Sequence, residues 1–106
     1  MKKYSFTGET KVFLGITLNQ IKAEMSFGRV TKGDIGGWIE KEENLPHVPG
    51  DAWVFDNACV YGNALVYGNA RVFGNARVYG DALVYGNARV FDNACVYGNA
   101  CVYGDA

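Results

Sequence analysis

The sequence predicts an all-β chain, half of it a repetitive solenoid, and three observations carry that prediction. From Asp51 onward the residues fall into nine six-residue units: DAWVFD, NACVYG, NALVYG, NARVFG, NARVYG, DALVYG, NARVFD, NACVYG and NACVYG, followed by Asp105–Ala106. Valine holds one slot in every unit, from Val54 to Val102, and alanine holds the slot two before it, from Ala52 to Ala100. The aromatic residue after each valine carries a longer rhythm, with phenylalanine returning every 18 residues at Phe55, Phe73 and Phe91. An internal repeat of this strictness decides architecture before any site is considered.

Each slot has a physical reading. Alanine and valine two apart lie on one side of an extended strand, so both point inward and make a narrow core. The residues before and after valine, such as Trp53 and Phe55 or Cys59 and Tyr61, point outward. Asn/Asp and Gly/Asp fill the remaining slots, and both tolerate the left-handed backbone of a tight corner. Each hexad is therefore a short strand plus a turn.

The spacing of valine to a small residue four positions later, Val54 to Ala58 through Val102 to Ala106, resembles the bacterial hexapeptide-repeat family. The GNAxV array and its GDIGGWIEKEENL lead-in are similar to small bacterial and phage hexapeptide proteins of no established activity. The resemblance implies a left-handed parallel β-helix in which three hexads close one triangular coil. The 18-residue phenylalanine period agrees with three hexads per coil. The expected fold is thus an all-β, left-handed parallel β-helix of three triangular coils over 51–106. A small β-rich N-terminal capping segment and lead-in, residues 1–50, precedes it.

That first segment has another composition, with seven of the ten basic and six of the eleven acidic residues. Alternating apolar positions predict strands at Lys3–Thr7, Val12–Leu18 and Ile21–Phe27, the last with Ile21, Ala23, Met25 and Phe27 on one face. A helix over Leu18–Met25 competes, because Gln20, Lys22, Ala23 and Glu24 are good helix formers. Thr31–Asp34 and Gly36–Gly37 read as turns. Leu45–Gly50 reads as a degenerate first hexad with Val48 in the inward slot. The segment is expected to cap the top of the helix and to cover one of its faces.

Stacking at 18 residues sorts the outward side chains into three faces. The first holds Trp53, Arg71 and Arg89 with Phe55, Phe73 and Phe91; the second holds Cys59, Arg77 and Cys95 with Tyr61, Tyr79 and Tyr97. The third holds Leu65, Leu83 and Cys101 with Tyr67, Tyr85 and Tyr103, and has no charge. Aromatic ladders can simply stabilise parallel strands, but an uncharged apolar face marks a surface to be covered. The N-terminal segment or another subunit is expected to cover it. The last coil, ending at Asp105 and Ala106, is expected to be open. Tail-to-tail stacking into an isologous dimer is preferred to side-face packing into a trimer.

Composition excludes several functions. The net charge of −1 supplies no field for duplex nucleic acid, and the array itself holds three basic against five acidic residues. No apolar stretch is long enough to span a membrane and Met1–Ser5 lead into no apolar run, so neither a membrane span nor a secretion signal is expected. The resemblance to hexapeptide acyltransferases implies a histidine base and acyl-CoA bound between subunits. His47 is the single histidine, however, and lies outside the array, where a structural role is the ordinary one. No catalytic residue, cofactor or metal site is assigned, since a zinc site of the three-histidine kind cannot be built. Regular threonine ranks for ice binding are absent from the array. Cys59 and Cys95 share a column two coils apart, at about 9–10 Å, beyond the reach of a disulfide. Three unpairable cysteines indicate free thiols in a reducing cytoplasm.

The expected function is a non-catalytic scaffold or interaction module that self-associates, with a protein partner as a further expectation. A phage-type inhibitor or sequestering protein for a nucleotide or phosphate is the alternative. For that role Arg71, Arg77 and Arg89, beside Phe73 and Tyr79, are the candidate anion ligands, although cation–π packing on neighbouring rings explains such arginines equally well. An acyltransferase comes third. The bacterial cytoplasm, in a phage- or prophage-encoded setting, is the expected location.

Overall fold

A computed structural model describes residues 2–47 and 50–105, which places Val48 and Ala106 outside the described residues. Among the described residues the chain is all-β apart from one 3-10 turn at Glu42–Asn44. Each hexad from Asp51 contributes a two-residue strand: β4 (Trp53–Val54), β5 (Cys59–Val60), β6 (Leu65–Val66), β7 (Arg71–Val72), β8 (Arg77–Val78), β9 (Leu83–Val84), β10 (Arg89–Val90), β11 (Cys95–Val96) and β12 (Cys101–Val102). They stack in parallel, as β4-β7-β10, β5-β8-β11 and β6-β9-β12. Residues 18 apart stand in register, for example Trp53 over Arg71 over Arg89. The array is a parallel β-helix with three hexads per coil.

The core is as narrow as the hexad requires. Val54, Val60, Val66, Val72, Val78 and Val84 are fully buried, as are the alanines from Ala58 to Ala88. Each buried valine contributes roughly 1.5–3 kcal/mol relative to exposure. Corners are turned by glycine at φ near +70°, and twice by aspartate in the same slot, Asp56 at +56° and Asp92 at +58°. Corner amides also stack, with Asn69 Nδ2 donating to Asn87 Oδ1 at 3.3 Å and Asn87 Nδ2 to Asp105 Oδ1 at 3.2 Å.

Outside the paired strands, the hydrogen bonds between coils run mostly one way. Backbone N–H groups of one coil donate to carbonyls of the next, as in Phe55 N to Val72 O and Phe73 N to Val90 O. The first coil therefore presents a row of carbonyl oxygens at its open edge. Buried carbonyls need donors, or their desolvation is uncompensated.

The N-terminal segment supplies those donors. It is a hairpin of β1 (Tyr4–Phe13) and β2 (Ile16–Ala23), turned at Leu14–Gly15, followed by β3 (Ile35–Ile39). The third strand pairs antiparallel with β2 and parallel with β5, so one sheet runs β1-β2-β3-β5-β8-β11 from hairpin into solenoid. Trp38 N donates to Ala58 O and Glu40 N to Val60 O. Asn44 Nδ2 donates to Gly62 O and Ala64 O, and Lys3 Nζ to Gly50 O and Ala52 O. The three sides of the first coil are thus met by a strand, an amide and an ammonium.

Several expectations for this half need correction. The expected strand Val12–Leu18 is broken by the turn at Leu14–Gly15, its first residues ending β1 and its last beginning β2, and β2 runs on through Ile21 but stops at Ala23, short of Phe27. No helix forms over Leu18–Met25, because Leu18, Ile21 and Ala23 are buried on strand geometry. Gly36 and Gly37 do not turn the chain; they lie within β3. A Cβ on Gly36 would stand 2.7 Å from Trp53 Cζ2 and Val54 O, and one on Gly37 2.6 Å from Ala58 O. Close approach of two backbones, not a corner, demands glycine there. Among the described residues no helix is long and apolar enough to cross a membrane.

Candidate functional site

The hairpin chooses which face it covers. Phe13 sits edge-on to Tyr61 at 6.0 Å, and Leu18 is buried with Cys59 and Tyr61. The covered face is the second, not the third that the sequence pointed to, because β3 adds to the β5-β8-β11 stack and carries its hairpin with it. Arg77 lies 5.1 Å from the Phe13 ring, an ordinary cation–π contact, and Tyr79 packs beside the same cluster. These two residues therefore stand apart from Arg71, Arg89 and Phe73. Burial pushes the Cys59 thiol up, so it is held as an inert apolar group.

The third face keeps no cover within the described chain. Tyr67 and Tyr85 stack at 5.1 Å and 5°, and Tyr85 and Tyr103 at 5.2 Å and 8°. Leu65 and Leu83 lie half-buried beside them, and Cys101 and Tyr103 are exposed. Desolvation by its neighbours, with Cys101 and the adjoining phenols, pushes the Tyr85 phenol up. Asp105 lies exposed at the last corner, where it accepts from Asn87.

The first face is divided. Its upper third is closed, with Trp53 buried beneath Tyr4 at 6.1 Å and Phe27 at 5.5 Å, both edge-on. Below it, Arg71 and Arg89 stand in register one coil apart. Phe55 meets Phe73 at 87°, and Phe73 stacks on Phe91 at 5.3 Å. Arg29, delivered next to the Phe27–Val30 bridge, completes a cleft of about 310 Å³ lined by Arg29, Phe55, Asp56, Arg71, Phe73 and Arg89. Asp56 Oδ2 accepts from Gly74 N at 3.3 Å. Arg29 belongs to an irregular stretch, and no periodicity could have placed it here.

His47 is built into the cap. Its Nδ1 accepts from Lys3 N at 3.0 Å, its Nε2 lies 2.7 Å from Glu42 Oε1, and its ring stacks on Tyr4 at 4.2 Å. Both ring nitrogens are engaged, which leaves no lone pair facing a substrate.

Comparison with known proteins finds the array and not the cap. No curated protein matches the chain. The model described as the YdcK beta solenoid repeat matches residues 58–72, 64–80, 70–86, 76–90 and 82–97 in overlapping windows. Those windows fall on the stacked coils, so the chain carries a repeat β-solenoid similar to that family's.

Proposed function

We propose that the protein is a non-catalytic interaction scaffold that self-associates through its third face. The observation that carries this reading is the distribution of cover. The hairpin covers the upper part of the second face and leaves Cys95 and Tyr97 exposed, and Tyr4 and Phe27 close the top of the first, while Leu65, Tyr67, Leu83 and Tyr85 form an uncharged strip with no covering element in the described chain. Flat stacked rings on a rigid β-helix suit an isologous pairing, because each copy offers the same ladder to its twin. The three free thiols support a reducing compartment such as the bacterial cytoplasm. The engaged nitrogens of His47 favour a scaffold over an acyltransferase. The valine–alanine hexad also supports kinship with hexapeptide-repeat proteins and their left-handed winding. Sedimentation velocity at micromolar concentration tests the reading: the expected result is a dimer that Leu83→Lys with Tyr85→Lys converts to monomer. A monomeric wild type overturns it.

A further inference from the structure

The cleft on the first face is a separate feature, on different residues from the self-association strip. Arg71 and Arg89 are directly opposed on adjacent parallel strands, about 4.8 Å apart in backbone spacing. Like charges in that arrangement repel. Among the described residues no carboxylate lies within 4.0 Å of Arg29, Arg71 or Arg89 to relieve it. The single acid in the cleft, Asp56, is occupied by a backbone N–H. Within the cleft three guanidinium groups face one carboxylate, while Asp105 shares the neighbouring groove with Arg71 and Arg89, and Asp92 lies beside Arg89.

We propose that this cleft binds a nucleoside monophosphate. A phosphate monoester carries about −1.5 to −2 at neutral pH, and the three guanidinium groups lining the cleft supply its counter-charge. Guanidinium forks grip its oxygens in paired hydrogen bonds. Repulsion from Asp56 sets the phosphate at the Arg71–Arg89 side of the cleft. The Phe55–Phe73 corner, one ring edge-on to the other, then gives the base an aromatic surface to stack against. The volume, about 310 Å³, lies at the lower end of small-ligand sites and suits a mononucleotide better than a dinucleotide. Arg29 comes from the N-terminal segment and the other two arginines from successive coils, so the site exists only when cap and solenoid are assembled.

Titration calorimetry on the full chain at low salt tests this, with AMP, GMP, CMP and UMP as ligands and with inorganic phosphate and adenosine as controls. The expected result is saturable binding of at least one nucleotide, weaker binding of phosphate and none of adenosine. Arg71→Gln with Arg89→Gln should weaken that binding at least tenfold, while Arg77→Gln on the second face leaves it unchanged. Thermal melts of each variant establish that it is folded. Failure of all four nucleotides to bind, or unchanged binding in the folded double variant, overturns the proposal. Phosphate binding as tightly as the nucleotides overturns the base contact. None of these outcomes depends on whether the protein dimerises.

Discussion

Asn44 Nδ2 donates to the carbonyl oxygen of Ala64 at 2.9 Å, and through this bond one side chain takes the place of a missing coil. The same amide reaches Gly62 O at 3.1 Å, while its Oδ1 accepts from Glu40 N and Lys41 N at 3.1 and 3.0 Å. Asn44 is fully buried, and all four of its hydrogen-bonding positions are used. Asn44→Asp keeps the shape and removes the donors, leaving a carboxylate against two carbonyls. Urea unfolding should show a loss of about 3–5 kcal/mol; an unchanged midpoint would mean that the amide is not a cap.

Tyr4 makes the cap sensitive to alkali. Its single hydroxyl hydrogen faces Leu45 O at 2.7 Å, with Glu42 O as a second, longer acceptor at 3.1 Å. Burial, with Glu42 and Glu43 nearby, pushes its phenol well above the ordinary tyrosine value. An acid whose folded pKa is raised contributes stability in full below its unfolded pKa, about 10, and loses it as pH climbs beyond. Burial lowers the Lys3 pKa and works in the opposite sense over the same range, so the Tyr4 effect is read by difference. Tyr4→Phe should be less stable than wild type by about 1–2 kcal/mol at neutral pH. The gap should close above about pH 10, and a gap constant to high pH would contradict the assignment.

The three thiols should divide by position. Cys95 and Cys101 are exposed on the last coil, and Cys59 is buried under Leu18. Titration with a disulfide reagent under native conditions should modify two groups quickly, and the third only on unfolding. Three fast equivalents would place Cys59 in solvent and the hairpin elsewhere.

The array was legible because every hexad repeats the same two decisions, inward valine–alanine and an outward pair, so columns such as Leu65, Leu83 and Cys101 follow from counting. The cap was legible as extended chain where apolar residues alternate, but not in its turn at Leu14–Gly15, which falls inside the expected strand Val12–Leu18, nor in β3. Gly36–Gly37 has the composition of a turn, and only the approach of Val54 and Ala58 explains it as strand. Gly37→Ala should therefore cost more than about 3 kcal/mol in thermal or urea unfolding. Gly98→Asp should be nearly neutral, since nothing lies within 4 Å of its position and Asp56 and Asp92 hold the same corner conformation. Long-range donors such as Lys3 and Asn44 and the third arginine of the cleft, Arg29, sit in stretches without period. Their partners lie 18 to 60 residues away and have no local signature.

The central claim is that side chains of the first half satisfy the acceptor edge of the first coil. Lys3→Met with Asn44→Leu keeps the apolar bulk and removes the donors from Gly50, Ala52, Gly62 and Ala64. Urea unfolding of this double variant is the most direct test. Four orphaned carbonyls predict a loss of about 4 kcal/mol or more; a midpoint equal to that of the wild type would contradict the account.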